Sequence, residues 1–240
     1  MKYRALVTML FTLTVSALQG SAYGRGFKIT AKYMVQNYPS SVAVADFNGD
    51  NHPDIVTTFS TRDSGFGGFD LLLNNGDGTF QLPARNYIGS FEPGVILAAD
   101  FNNDGKQDVA LLSEADKVVW ILLGNGDGTF QIFRNVNFND SPICMAIGDV
   151  NNDGNLDIAV ANVFTGLQIA LGNGDGTFQA PMTYAAGRFP QSVTFADFNK
   201  DGNLDAVVTN NGGNTISVFL GKGDGTFPTR ADYASGAGPS

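Results

Sequence analysis

The sequence predicts an all-β fold, β-propeller blades of four antiparallel strands in four repeats, and three observations predict it. A nine-residue Asp-rich segment occurs four times, at residues 46–54 (DFNGDNHPD), 100–108 (DFNNDGKQD), 149–157 (DVNNDGNLD) and 197–205 (DFNKDGNLD). A second signature follows each copy, NGDGTF at 75–80, 125–130 and 173–178 and KGDGTF at 222–227. Around them lie short runs of aliphatic and β-branched residues bounded by Gly, Asn and Asp, a pattern of strands and not of helices. The Asp-rich segments start 54, 49 and 48 residues apart. Two signatures sharing a period of about 50 residues mark a repeat architecture.

Residues 1–22 read as a secretory signal peptide. Lys2 and Arg4 open it, an apolar run covers 5–18, and Gly20, Ser21 and Ala22 offer a cleavage site, with Ala17 as an alternative. The apolar run is shorter than the roughly 20 residues a membrane span needs, so the expected location is secreted, extracellular or at the cell surface. Residues 23–40 are expected to hold a strand matching the last strand of a blade. Blades are then expected at 41–88, 89–138, 139–185 and 186–233, with 234–240 opening a further repeat.

Within each unit the first strand precedes the Asp-rich segment, as with Val42 and Val44, Ile96, Met145 and Ile147, and Val193 and Phe195. A small residue ends it each time, Ala45, Ala99, Gly148 or Ala196, which suits a crowded central axis. The second strand follows the segment at 55–58, 109–112, 158–161 and 206–209, and the third lies at 71–73, 120–123, 168–171 and 217–220. The Asp-Gly of each NGDGTF segment signals a hairpin into a fourth strand, such as 178–184. Asp77, Asp127, Asp175 and Asp224 are therefore read as turn formers. The stretch 61–68, with Arg62, Phe66 and glycines, occurs in the first unit only, and is the expected irregular loop and candidate recognition feature.

Acidic residues outnumber basic ones by 23 to 14, for a net charge of −9. No nucleic-acid partner and no anionic membrane surface is expected. All but Glu92 and Glu114 of the acids are Asp, and Asp favours turns over helices. Positions 1, 3, 5 and 9 of the four segments carry Asp, Asn, Asp and Asp: Asp46, Asn48, Asp50 and Asp54; Asp100, Asn102, Asp104 and Asp108; Asp149, Asn151, Asp153 and Asp157; Asp197, Asn199, Asp201 and Asp205. Ca²⁺ takes six to eight hard oxygen ligands at roughly 2.3 to 2.6 Å. These side chains supply carboxylate and amide oxygens, and the main-chain carbonyl at position 7 (His52, Lys106, Asn155 or Asn203) adds one more. Up to four Ca²⁺ ions, one per repeat, are expected. Gly105, Gly154 and Gly202 at position 6 suit a positive φ, and Asn51 stands there in the first loop, the expected weakest site. An EF-hand would need Glu at position 12, where Thr57, Leu111, Val160 and Val208 stand.

The D-x-N-x-D-G-x-x-D loop followed by NGDGTF resembles the FG-GAP-like (VCBS-type) repeats of bacterial secreted proteins, relatives of the integrin α-chain propeller repeats. The resemblance implies a propeller fold, structural calcium at the positions named, and a role in adhesion or in recognition of an extracellular protein or glycan. Family propellers have about seven blades, so the expectation is part of a longer ring, with a complete four-bladed ring as the alternative, and self-association through open strand edges.

The rival reading is an extracellular hydrolase or polysaccharide lyase on the same scaffold. His52 is the lone histidine, so no Ser-His-Asp arrangement forms. The carboxylate pairs recur in every unit, which suits structure better than one active site. No enzyme activity is expected. Cys144 is the lone cysteine, so the chain has no internal disulfide; it and Trp120 fall in strand patterns and read as core.

Overall fold

The computed structural model describes residues 32–61, 66–89, 93–138 and 140–239. The expected signal peptide, residues 23–31 of the expected N-terminal strand, Arg62 and Glu92 lie outside the described residues. Each repeat folds into one four-stranded antiparallel sheet with its strands in chain order. Sheet one holds β1 (Val42–Ala45), β2 (Asp54–Thr61), β3 (Phe66–Leu72) and β4 (Ala84–Tyr87). Sheet two holds β5 (Pro93–Ala99), β6 (Asp108–Ser113), β7 (Val118–Gly124) and β8 (Phe130–Asn137). Sheet three holds β9 (Pro142–Gly148), β10 (Asp157–Asn162), β11 (Gly166–Ala170) and β12 (Met182–Tyr184). Sheet four holds β13 (Pro190–Ala196), β14 (Asp205–Asn210), β15 (Thr215–Leu220) and β16 (Thr229–Ala234). No helix occurs among the described residues.

The sheets pack face to face in series. Three apolar clusters fill the three joints, Phe47, Phe69, Ile96 and Leu122 between sheets one and two, Phe101, Ile121, Phe138 and Ile158 between two and three, and Val150, Ile169, Val208 and Phe219 between three and four. First strands are neighbours, β1 of β5, β5 of β9 and β9 of β13, and no comparable packing joins sheet four to sheet one among the described residues. Every residue of β6 and β10 is buried, because these strands carry apolar side chains on both faces and have a sheet on either side. The small residue ending each first strand has a local cause at Gly148: a Cβ there would lie 2.8 Å from Leu204 Cδ1 of the next sheet.

Two expectations need correction. The stretch 61–68 is not an irregular loop at its described ends: Thr61 pairs with Phe66, Ser60 with Gly67 and Phe59 with Gly68, extending the β2–β3 hairpin outward. Gly68 is forced there, since a Cβ would meet the Asn86 carbonyl oxygen at 1.9 Å. The fourth strand expected over 178–184 forms only at Met182–Tyr184, with Phe178 held by an isolated bridge to Gly172. Pro83, Pro181 and Pro228 stand between turn and strand in sheets one, three and four, and proline has no N–H for the ladder. Sheet two has no proline there, and β8 runs unbroken from Phe130.

Residues 32–40 form no strand. They are tied to sheet one: the Gln36 N–H donates to Asp70 Oδ2 at 2.7 Å and the Phe80 N–H donates to the Tyr33 hydroxyl at 2.8 Å.

Candidate functional site

Each Asp-rich segment joins the first strand of a sheet to the second, and all four fold alike. The carboxylate at position 1 reaches across the loop: Asp46, Asp100, Asp149 and Asp197 accept from the position-5 N–H through Oδ1 at 3.1–3.2 Å and from the position-6 N–H through Oδ2 at 2.7–3.0 Å. The amide oxygen at position 3, on Asn48, Asn102, Asn151 and Asn199, accepts from the position-5 N–H as well. The carboxylate at position 5, on Asp50, Asp104, Asp153 and Asp201, accepts from the position-7 N–H at 2.8–2.9 Å. These are the local Asx interactions that let Asp and Asn replace regular backbone pairing in a turn.

The backbone needs two left-handed residues per loop. Position 6 has φ of 64° at Asn51 and 82°, 85° and 89° at Gly105, Gly154 and Gly202, as expected from the sequence. Position 4 is left-handed too, at Gly49, Asn103, Asn152 and Lys200, with φ of 76°, 57°, 58° and 63°. Sequence reasoning missed this, although Gly or Asn in three of four repeats was the available signal. The first loop, with Asn51, keeps the same hydrogen-bond pattern as the others.

Position 9 is a clamp. Asp54, Asp108, Asp157 and Asp205 are wholly buried at the start of the second strand. In each, Oδ2 accepts from the position-2 N–H (Phe47, Phe101, Val150 or Phe198) at 2.8–3.0 Å. Oδ1 accepts from the N–H of Asn74, Gly124, Gly172 or Gly221, at the end of the third strand, at 2.8–2.9 Å. Burial outweighs these bonds at three of them. It raises the pKa of Asp54 and Asp108 and pushes that of Asp157 up to about 6, helped by the charges at positions 1 and 5 of the same loop. Position 5 shows the opposite. Asp50, Asp104 and Asp201 are held below the usual carboxylate range by the backbone N–H of His52, Lys106 and Asn203 respectively.

Position 7 contributes more than a carbonyl. The His52 imidazole lies 3.2 Å from Asp50 and the Lys106 ammonium 3.6 Å from Asp104. In the third and fourth loops the position-7 amide links neighbouring sheets: Asn103 Nδ2 donates to Asn155 Oδ1 at 2.8 Å and Asn152 Nδ2 to Asn203 Oδ1 at 2.9 Å. The same side chains seat the NGDGTF turn, where a Cβ at Gly174 would stand 2.2 Å from Asn155 Oδ1. In that turn the Asp carboxylate accepts from both the N–H and the hydroxyl of the Thr two residues on, at Asp77, Asp127, Asp175 and Asp224. The turn's second glycine crosses the joint, with Gly128, Gly176 and Gly225 donating to the carbonyls of Phe47, Phe101 and Val150 at 2.9, 3.0 and 3.2 Å.

The donor set suits a hard cation. Three carboxylates and an amide oxygen meet in each loop, and an oxygen that accepts one N–H keeps a second lone pair. Among the described residues, no three Asp, Glu, His or Cys side chains stand clustered as a metal site; the carboxylates are turned to the loop's own N–H groups.

Comparison with known proteins bears on the repeat and the fold. Among solved structures, a protein from Lactobacillus plantarum is similar with a TM-score of 0.62 and 12% identity, over 88% of this chain and 60% of that one. BBS1N, crystallised in complex with ARL6DN and soaked with lead, is similar with a TM-score of 0.53 and 12% identity, over 82% of this chain and 57% of that one. The chain thus spans about 60% of the length of these structures; both are β-propellers, and at this identity the likeness concerns the fold alone. No curated protein matches the chain. The FG-GAP-like repeat matches at residues 46–111, 100–160 and 149–208, windows that each run from one Asp loop into the next sheet, so the chain belongs to the FG-GAP-like repeat family and folds as blades of a β-propeller.

Proposed function

We propose that the chain is an exported, non-enzymatic repeat module whose four Asp loops each hold a structural Ca²⁺. One observation carries the reading: every loop holds three carboxylates, at positions 1, 5 and 9, and the last is wholly buried. Burial raises the pKa of Asp54, Asp108 and Asp157, and the charges at positions 1 and 5 of the same loops add to it. A divalent cation offsets that repulsion. The loop backbone is already held by Asx bonds, so ion binding asks only for rearrangement of the side chains at positions 1, 3 and 5, with the position-7 carbonyl as a further donor. The ion supplies cross-linking of the two strands that each loop connects. The chain's own part is to hold the loop open in its left-handed turns.

Thermal unfolding with calcium and with a chelator tests this. A ligand that binds only the folded state stabilises by RT ln(1 + [L]/Kd), about 2.7 kcal/mol per site at a hundredfold excess over Kd. Several sites therefore give a large rise in Tm, and equal Tm values in the two buffers would exclude calcium. For the role outside the cell, the family points to recognition of an extracellular protein or a glycan. Binding to immobilised glycans and matrix proteins, run beside turnover assays on the same polysaccharides, separates a recognition module from a hydrolase or lyase.

A further inference from the structure

The three internal joints are one joint repeated, and among the described residues no sheet covers its two halves at opposite ends of the series. In each joint the earlier sheet buries the position-2 residue of its Asp loop against the later sheet: Phe47, Phe101 and Val150 are 1%, 3% and 1% exposed. The fourth member, Phe198, is 53% exposed, and its carbonyl receives no glycine N–H among the described residues. Beside it on the same open face lie Ile216, Val218 and Leu220, all half-exposed in β15. At the other end, sheet one turns a face away from sheet two that carries Val42, Val44, Ile55, Thr57 and Leu72. In register with the Asp loops and NGDGTF turns, these match Val193, Phe195, Ala206, Val208 and Phe219, the residues sheet four packs against sheet three. Val42 and Val44 are 54% and 59% exposed, whereas Val193 is 5% exposed, and Ile55, Thr57 and Leu72 of the same face are buried. An apolar groove of about 380 Å³ runs over this face, lined by Tyr33, Val35, Val42, Ile55 and Leu72.

We propose that the occupant of the sheet-one face is sheet four of a second copy, docked as sheet three docks on sheet four. Phe198 of the second copy would sit where Phe47 sits against sheet two, and its carbonyl would take the Gly78 N–H. Tyr33 holds a place in this joint. It stands on Phe80 with ring centroids 5.6 Å apart and planes at 81°, as Tyr184 stands on Phe227 at 5.6 Å and 80°. Tyr233, which matches Tyr184 in β16, replaces it on docking. The contact joins two different surfaces, so it is heterologous and either closes into a ring or continues as an open chain of copies. Two copies bring eight sheets, at the upper end of the usual four to eight blades of a closed propeller. This inference does not rest on the calcium reading.

Sedimentation of the full chain from about 1 to about 100 µM, a range in which a modest interface dissociates, tests the proposal in calcium and again in chelator. Wild type is expected to associate with rising concentration. Phe198→Asp breaks one half of the joint and Val44→Asp the other, and each alone is expected to weaken association by at least about a hundredfold. Mixed together, the two variants keep one intact half each and should restore a dimer that grows no further. Tyr33→Ala is expected to strengthen association. A wild type that stays monomeric throughout overturns the proposal, as does association that survives either Asp variant, or a mixture that fails to complement. Both substituted side chains are exposed, so folding is expected to survive; if an Asp variant melts lower than wild type, Val44→Thr and Phe198→Ser provide the same readout.

Discussion

Sheets two and three have a neighbouring sheet on both faces, sheet one has residues 32–40 tied to it, and sheet four packs on one face only among the described residues. The strands are built from the same kinds of residue, and β6 and β10 bury every position, β2 and β3 of sheet one bury all but one each, while β14 and β15 of sheet four alternate between buried and half-exposed. Burial of like strands in this chain therefore depends on what packs over them and not on local sequence alone. Phe101 and Phe198 make the point most directly. Both follow the first Asp of their loops, both donate their N–H to the position-9 carboxylate, and only Phe101 has a blade to pack on. A repeat fold whose units touch only their neighbours behaves this way: its stability is a sum of units and joints.

The largest test of that comparison is the pair Phe101→Ala and Phe198→Ala. Removing a buried Phe side chain costs about 3–5 kcal/mol, whereas an exposed one away from special contacts changes stability by about 0.5 kcal/mol or less. Urea unfolding of the two variants at low concentration, where copies are separate, should reproduce that gap; similar costs would mean that Phe198 is covered.

The next test is pH in the presence of a chelator. An acid whose pKa is raised by folding binds more protons folded than unfolded between its two values, so stability falls as pH rises through that interval. For Asp157 the interval runs from the ordinary 3.8 to about 6, and Asp54 and Asp108 add in the same direction. Tm should therefore decline between about pH 4 and pH 6, by an amount on the order of 2–3 kcal/mol for Asp157. Calcium should flatten or reverse the decline, and a metal-free Tm that rises over the same interval would contradict it.

Asp108→Asn sharpens the comparison within the joint between inner sheets. Its new amide places N–H against a backbone N–H at Phe101 or Gly124, leaving a buried donor unpaired at a cost of about 1–3 kcal/mol. If position 9 also serves the ion, the calcium-dependent rise in Tm should shrink by one loop's share. The smallest effect is expected at the open end. Lys200 holds a φ of 63°, where glycine carries no Cβ penalty, so Lys200→Gly should raise stability by up to about 1 kcal/mol. Asn103→Gly should not gain as much, because Asn103 is bonded to Asn155 across a joint.

The order of strands and the position of every Asp loop were legible because they depend on local chemistry. Alternation, Asp at turns and Gly at positive φ are written within a few residues of where they act. Position 9 looked like one more oxygen ligand, yet its two oxygens clamp Phe47 and Asn74 in the first unit and their counterparts in the others. That role joins residues 20 apart and has no signature in spacing. The second glycine of NGDGTF looked like half of a hairpin turn, and it is also the donor that crosses each joint. Such partners belong to the neighbouring unit, so the period announces the joint without saying which atoms make it. The shortened fourth strands were readable after all, because Pro83, Pro181 and Pro228 stood in the sequence at the place where pairing lapses.

Those prolines have a consequence for how the chain keeps to itself. β4, β8, β12 and β16 are the outer edges of their sheets, with no strand beyond them among the described residues. In three sheets the proline shortens that edge, leaving a ladder of three to six residues. In sheet two no proline interrupts it, and β8 offers eight residues from Phe130 to Asn137, with one register shift between Ile132 and Arg134 and with Arg134 as its one charge. A long edge with little charge is the usual template for unwanted strand addition. If the purified chain forms fibrils on storage, their seed should map to 130–137, and a proline introduced at Phe133, the position that matches Pro83 and Pro181, should slow it.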